Sequence, residues 1–319
     1  METIIECSDI VRIFTSRTLL GKKQETRALD GLDFTIPPGI VFGLLGPNGS
    51  GKTTTIRILA TLLTPTSGQA RVLGFDVVKE ANKVRGRIGL ILGGERGLYG
   101  RLTGEENLKY FAALNHLSRE LTNKRVKEIL ELVGLSGDSR RLVEQYSRGM
   151  RQRLHIARGL LTDPEVLFMD EPTIGLDPAG AQELRQLIPT LVQRGKTILL
   201  TTHYMSEADE LSHQVAIINH GKIIASGTPS QIKRSFSKIA VCELICRSSQ
   251  SDVIQAVQAI HGIQRVNSVA DGPIQRITIH MLPGTEIKAG VTEIIGEGNI
   301  ESIVMRDPTL EEAYLSIIK

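Results

Sequence analysis

The sequence predicts an α/β fold: a mostly parallel core sheet with helices on both faces, then a small α+β domain at the C-terminal end. Three observations predict it. Short apolar runs such as "VLFMD" and "TILLTTH" lack polar alternation and are separated by helical patterns, as in a parallel sheet buried on both faces. The glycine-rich stretch "GPNGSGKTT", Gly46 to Thr54, lies between an apolar strand and a helix. The charge also changes sign along the chain. Residues 237–319 hold 7 Lys and Arg against 10 Asp and Glu, a net of −3, which leaves +6 for residues 1–236. That asymmetry supports two units with a boundary at 236.

In order, "IPPGIVFGLLG" is a short apolar strand ending in glycine, followed by a helix from Lys52 to Leu63 that Thr64-Pro65 stops. Met150, Leu154, Ala157 and Leu161 recur on one face of a helix that Asp163-Pro164 ends. "VLFMD" is a buried strand, Leu184 to Leu191 a helix ending near Gly195, and "TILLTTH" a second buried strand. "VAIINHGKIIAS" reads as a hairpin turning at Asn219–Lys222. The polar, basic stretch "SRTLLGKKQETR", Ser16 to Arg27, reads as a surface loop. In the tail, strand-like "IAVCELICR", helix-like "SDVIQAVQAIHG" and two strands around Asp271-Gly272-Pro273 come first. A helix from Glu286 to Ile295, the strand "NIESIVMR" and a last helix from Leu310 to Ile318 follow. The order β-α-β-β-α-β is that of a ferredoxin-like unit.

Composition excludes several classes. At 41% apolar and 23% charged residues the 319-residue chain is an ordinary globular protein, not a disordered one. No apolar run is long enough to span a bilayer, and "METIIECSD" has no signal-peptide pattern. Work at a membrane therefore calls for another chain to supply the span. Three cysteines, an odd count without neighbouring ligands, read as buried reduced thiols of a cytosolic protein. The net charge of +3 and the absence of Trp give no basis for a nucleic-acid groove.

The stretch Gly46-Pro47-Asn48-Gly49-Ser50-Gly51-Lys52-Thr53-Thr54 matches G-x-x-x-x-G-K-[ST] in its strand-to-helix setting. Its glycines let successive backbone N–H groups converge on phosphate oxygens, and the helix N-terminus adds partial positive charge. Lys52 is placed to reach the outer phosphates of ATP, and the Thr53 hydroxyl to hold Mg²⁺. Asp170, at the end of "VLFMD", is the second Mg²⁺ candidate, because ligands meet a parallel sheet at its strand ends. Glu171, one residue further on, is placed to polarise a water aimed at the γ-phosphate, as a general base.

Three further stretches narrow the function. "YSRGMRQR" opens the helix that leads to Asp170, "GLDP" (Gly175–Pro178) follows Glu171, and "TTH" ends the next strand at His203. With the phosphate loop and Asp170-Glu171, in this order, they resemble the ATP-binding cassette of ABC transporters over about residues 1–236. The resemblance implies a helical signature subdomain within the cassette. It implies that Ser147, Gly149 and Met150 form the signature that meets ATP held by a partner cassette. It implies that Asp177 communicates across that dimer, that His203 contacts the γ-phosphate, and that Phe14 stacks on adenine. Signatures of the family usually read Ser-Gly-Gly-Gln. Here Arg148 and Met150 depart from that pattern; Arg148 is tolerable if it points outward, and Met150 fits the apolar stripe of its helix.

"LGGERGLYG", Leu92 to Gly100, resembles the family segment that carries a glutamine between nucleotide and membrane subunit. Gly93 stands at the glutamine's place, leaving Glu95 or a backbone carbonyl as substitute, or a loop that serves only as a joint. Its glycine-rich form resembles exporters of drugs, sodium or polysaccharide. The function implied is an ATPase subunit, with ATP and Mg²⁺, that powers a separately encoded membrane permease, most consistent with an exporter. Two cassettes would pair at the cytoplasmic face of the membrane, with no nucleic acid involved. The alternative is a soluble ATPase of the same family acting in translation or on DNA. The tail resembles the C-terminal module of exporter-type subunits, and its role is open.

Overall fold

In the computed structural model, the described residues are 3–17, 23–92, 97–236, 240–247, 251–272, 274–282 and 284–317. The chain divides into Met1–Pro229 and Ser230–Lys319, each with hydrophobic cores of its own. That division falls ahead of residue 236 and assigns most of the helix Pro229–Phe236 to the second unit.

The first unit runs β1 (Ile5–Arg17), β2 (Lys23–Ile36), β3 (Val41–Leu45), α1 (Lys52–Leu59), β4 (Ser67–Val72), β5 (Phe75–Asp76), α2 (Ala81–Arg85) and β6 (Ile88–Leu92). It continues with α3 (Gly104–Leu114), α4 (Arg119–Leu132), α5 (Arg148–Gly159), β7 (Val166–Asp170), α6 (Pro178–Gln193), β8 (Thr197–Thr202) and α7 (Met205–Leu211). β9 (Gln214–Asn219) and β10 (Lys222–Gly227) complete the first unit, and α8 (Pro229–Phe236) begins at the division and lies mostly in the second.

The core sheet has the order β10-β9-β3-β8-β7-β6. Every pair in it is parallel except β9–β10. β3, β7 and β8 are buried at every position, which is why their sequences carry no alternation. The β9–β10 hairpin turns at His220 (φ 46°) and Gly221 (φ 76°), the paired left-handed residues of a two-residue turn. α3, α4 and α5 bury Leu108, Val126, Ile129 and Leu154 in one core cluster, the helical subdomain expected of the cassette.

The sequence reading misses a second sheet, antiparallel, in the order β2-β1-β4-β5. It also misreads Ser16–Arg27 as a loop. Phe14 pairs with Thr26, Ser16 with Gln24 and Arg17 with Lys23, so the described part of that stretch is strand, and residues 18–22 lie outside the described residues. The error has a physical cause. This end of the ribbon exposes both faces, so no apolar periodicity marks it. α1 stops at Leu59 because Thr61 turns left-handed (φ 63°), well before Thr64-Pro65. α6 is longer than the stretch Leu184 to Leu191, within which all four of its buried residues fall.

The second unit runs β11 (Ala240–Cys246), α9 (Ser251–Gln258), β12 (Ile263–Asp271), β13 (Ile274–Met281), α10 (Ile287–Ile295), β14 (Ile300–Arg306) and α11 (Leu310–Ile317). Its sheet has the order β12-β13-β11-β14, antiparallel throughout, which is the ferredoxin-like arrangement. Cys242, Leu244, Cys246, Ile277 and Ile279 face Val253, Val257, Val291 and Ile295 of the two helices. All three cysteines are buried and free. Among the described residues no helix is long and apolar enough to cross a membrane.

Candidate nucleotide site

The phosphate loop leaves the end of β3 at a point where only glycine fits. A Cβ on Gly46 would lie 2.2 Å from the carbonyl oxygen of Ile218. Gly51 (φ 117°) is equally confined, since its Cβ would meet the Ala28 carbonyl at 2.8 Å and Leu29 Cδ2 at 2.6 Å. The β9–β10 turn braces the loop from behind. The Gly221 N–H donates to the Ser50 carbonyl at 2.9 Å, and the Asp30 N–H donates to the Gly221 carbonyl at 3.0 Å. α1 then starts at Lys52 without a side-chain cap, so its first N–H groups remain available to an anion. Lys52 is buried and donates to the carbonyls of Gly46 at 2.7 Å and Pro47 at 3.1 Å. The Ser50 hydroxyl is buried with no hydrogen-bond partner. Backbone donors, a buried ammonium and an unsatisfied hydroxyl around a glycine turn suit a polyphosphate.

Sheet order brings the remaining groups to this loop. β8 lies between β3 and β7, with Leu45 opposite Thr202 and Asp170 opposite Thr201. The strand ends therefore deliver Lys52-Thr53, Asp170-Glu171 and His203 to one edge of the sheet. The Thr53 hydroxyl donates to Asp170 Oδ2 at 2.8 Å, and the Thr201 hydroxyl to Asp170 Oδ1 at 2.6 Å. Hydroxyl and carboxylate oxygens converging in this way suit a small hard cation that keeps phosphate and water as its other ligands.

Glu171 stands in the left-handed region (φ 49°), rare for a side-chain-bearing residue and frequent at functional sites. Its N–H is held by the Thr201 carbonyl at 3.0 Å and the Thr201 hydroxyl at 3.1 Å. Its carboxylate lies between Lys52 Nζ, at 3.6 Å, and His203 Nδ1, at 3.2 Å. That imidazole nitrogen is buried but not aligned for a hydrogen bond with the carboxylate.

The signature candidates form a second group. Ser147 caps α5 by accepting from the Met150 N–H at 3.2 Å, and Asp177 caps α6 by accepting from the Gly180 N–H at 3.4 Å. Gly149 packs against Gly180, where its Cβ would come within 3.7 Å of the Gly180 Cα. Met150 is half-buried and packs on the core, in keeping with its place on the helix stripe. Arg148 does not simply point outward; it donates to the Gly175 carbonyl at 3.2 Å. Phe14 belongs to neither group: it is exposed on β1, with the Arg12 guanidinium 4.7 Å from its ring centre. Gly93 and Glu95 lie outside the described residues. β6 ends at Leu92, which pairs with Asp170 on β7.

Sequence reasoning overlooks Thr201, which holds both Asp170 and Glu171. Its only signal is its place before His203 in "TTH". It assigns no role to Asn107, fully buried, which accepts from the Tyr99 N–H at 2.8 Å and donates to the carbonyls of Tyr99 and Thr103 at 3.0 Å.

Phosphate loop, carboxylate pair and strand-end histidine on this sheet define a P-loop ATPase of the cassette type. Residues 29–174 match the ABC transporter family. The chain is 40% identical over 295 residues to the daunorubicin resistance ATP-binding protein DrrA3 of Streptomyces coeruleorubidus, spanning 92% of each. It is 39% identical over 235 residues to the ABC transporter ATP-binding protein NatA of Bacillus subtilis, covering 74% of this chain and 92% of that one. Among solved structures it resembles a dimeric ATP-binding cassette in a post-hydrolysis state bound to ADP and Pi. The TM-score there is 0.62 at 25% identity, over 70% of this chain and 98% of that one. The chain belongs to the ATP-binding subunits of ABC transporters and is an ATPase whose hydrolysis is coupled to transport.

Proposed function

We propose that two copies of this chain pair around two ATP molecules and drive a separately encoded permease that exports drug-like compounds, from the cytoplasmic face of the membrane. Support for export comes from the drug-resistance relative, which matches over nearly the whole of both chains. The solved cassette dimer with ADP and Pi supports pairing.

The observation that carries the catalytic reading is the row Lys52–Glu171–His203 beside Thr53–Asp170. With ATP in the loop, the Lys52 ammonium exchanges the Gly46 and Pro47 carbonyls for outer phosphate oxygens, a stronger charge-assisted contact. Glu171 then accepts a proton from a water lined up on the γ-phosphorus; the new P–O bond forms as the bond to the β-phosphate oxygen breaks. Thr201 keeps the Glu171 backbone from drifting away from that line. His203 faces the γ-phosphate oxygens and stabilises the charge they gather. Thr53 and Asp170 would hold Mg²⁺, which when bound neutralises phosphate charge. Phe14 would stack on adenine, and Ser147 with Gly149 and Met150 would meet the ATP held by the partner. Asp177 would face the same interface.

Glu171→Gln tests the base. ATP binding should persist while steady-state hydrolysis falls by roughly 10²- to 10⁴-fold, the usual range for a lost general base. Turnover within a few-fold of the parent would overturn the assignment. Affinity purification from native membranes should recover an integral membrane protein; recovery of ribosomes instead would overturn the transport reading.

A further inference from the structure

Arg148 is the first residue of α5, immediately after the cap Ser147, and its side chain crosses to another element. Its Nη1 donates to the Gly175 carbonyl, in the loop between Glu171 and Asp177. The guanidinium also packs on Gly175 itself, where an added Cβ would meet Nη1 at 3.1 Å and Cζ at 3.3 Å. Gly175 has a φ of 74°, so it offers both the space and the backbone direction the contact needs. Beside it, α5 and α6 start backbone against backbone: a Cβ on Gly180 would lie 3.6 Å from the Gly149 Cα. At its other end the loop is wound tightly onto the catalytic residue. The Ile174 N–H donates to the Glu171 carbonyl at 3.2 Å, and the Leu176 N–H to the Thr173 carbonyl at 3.1 Å. A short continuous path of contacts thus runs from Glu171 through Gly175 to Arg148 and Ser147.

We propose that Arg148 is a positioning residue that couples the two ATP sites of the assembled pair. This rests on the paired reading above, in which Glu171 acts on the ATP of its own chain and Ser147 reaches the ATP held by the partner. Within one chain, the contact between Arg148 and Gly175 then ties one site to the other. When ATP binding or cleavage shifts the Glu171 loop, the Gly175 carbonyl moves, and the first turn of α5 moves with it. Arginine suits the task better than lysine because its planar guanidinium both donates and packs flat, whereas an ammonium only donates.

The test is the ATPase rate of the full chain against ATP concentration for the parent, Arg148→Ala and Arg148→Lys. ATP-dependent dimerisation is followed in parallel by sedimentation, each variant being combined with Glu171→Gln. The parent should give a Hill coefficient well above 1, towards the limit of about 2 that two sites allow. Arg148→Ala should bring it to about 1 while dimerisation persists, and Arg148→Lys should recover part of the difference. A merely structural role would alter the melting temperature or the maximal rate and leave the shape of the curve unchanged. An unchanged coefficient in Arg148→Ala, or a parent that dimerises with a coefficient of about 1, would overturn the proposal. A Glu171→Gln chain that stays monomeric at saturating ATP would overturn the paired reading and this inference with it, which separates the two failures.

Discussion

Asp170 is 8% exposed and takes hydroxyl hydrogen bonds on both oxygens, from Thr53 and Thr201. Thr201→Val keeps the β-branched shape that β8 packs but removes one donor from a buried carboxylate. It should destabilise the chain by about 1–3 kcal/mol, read from the midpoint of urea unfolding, and slow hydrolysis by loosening Glu171. An unchanged midpoint would mean that the contact to Thr201 contributes nothing. The contrast between Asp170 and Thr201 explains what the sequence discloses at this scale. Lys52, Thr53, Asp170 and Glu171 are legible because charged or glycine-flanked residues at the ends of apolar strands have few structural uses. Thr201 is not, because a threonine in a buried strand reads as packing. Arg148 is not legible either, because its partner lies 27 residues away and is a backbone carbonyl.

A guanidinium contributes to the anchoring of a segment in each unit. Arg158, on α5, donates to the Gly97 carbonyl at 2.8 Å and lies 5.0 Å from the ring centre of Phe111. Arg158→Ala should release the segment after Gly97; a charged hydrogen bond worth about 1.5 kcal/mol or more corresponds to roughly tenfold faster amide exchange at Leu98 and Tyr99. Exchange unchanged there would mean that Asn107 alone anchors the segment. In the second unit, Arg306 on β14 donates to Glu312 on α11 through Nη1 at 2.8 Å and Nη2 at 2.9 Å. Burial raises the Glu312 carboxyl, but the Arg306 guanidinium and the Thr309 N–H outweigh it and hold the group below its ordinary 4.5. A lowered folded-state value means that this contribution to stability is complete above the unfolded value and is lost as pH falls through the folded one. Protection from exchange across Leu310–Ile317, relative to the intrinsic rate at each pH, should therefore fall below pH 4.5, and Glu312→Gln should show the weaker protection already at neutral pH. Equal protection in both proteins at pH 7 would remove α11 docking from the pair. β7 and β8 are legible as short unbroken apolar runs, and α5 from the helical period of its buried face. The β1–β2 ribbon is not, because Thr15, Ser16 and residues 23–27 are exposed and leave no pattern to read.

At the scale of the molecule, the charge asymmetry and the tail's element order announce two units, while the antiparallel sheet β2-β1-β4-β5 goes unannounced. That sheet pairs strands distant in sequence, Ile5 with Val72 for example, and such pairing has no local signature. Each unit has its own core, and the NatA alignment covers 92% of that protein with only 74% of this chain. A chain ended after Phe236 should therefore fold and bind ATP with an affinity within about threefold of the parent, less than 1 kcal/mol by titration calorimetry. Loss of binding would make the second unit part of the nucleotide site.

The brace behind the phosphate loop has a thermodynamic consequence. Ser50, Gly221 and Asp30 are linked by backbone hydrogen bonds, and Gly46 and Gly51 are wedged against neighbouring main chain, so the mould for the phosphates is cast when the protein folds. The entropy of shaping it is spent there and not at each encounter with nucleotide. Capture of ATP should then resemble a key entering a finished lock, quick and indifferent to loop fluctuation. Slow adjustment is left to what surrounds the lock, foremost the Gly175 loop.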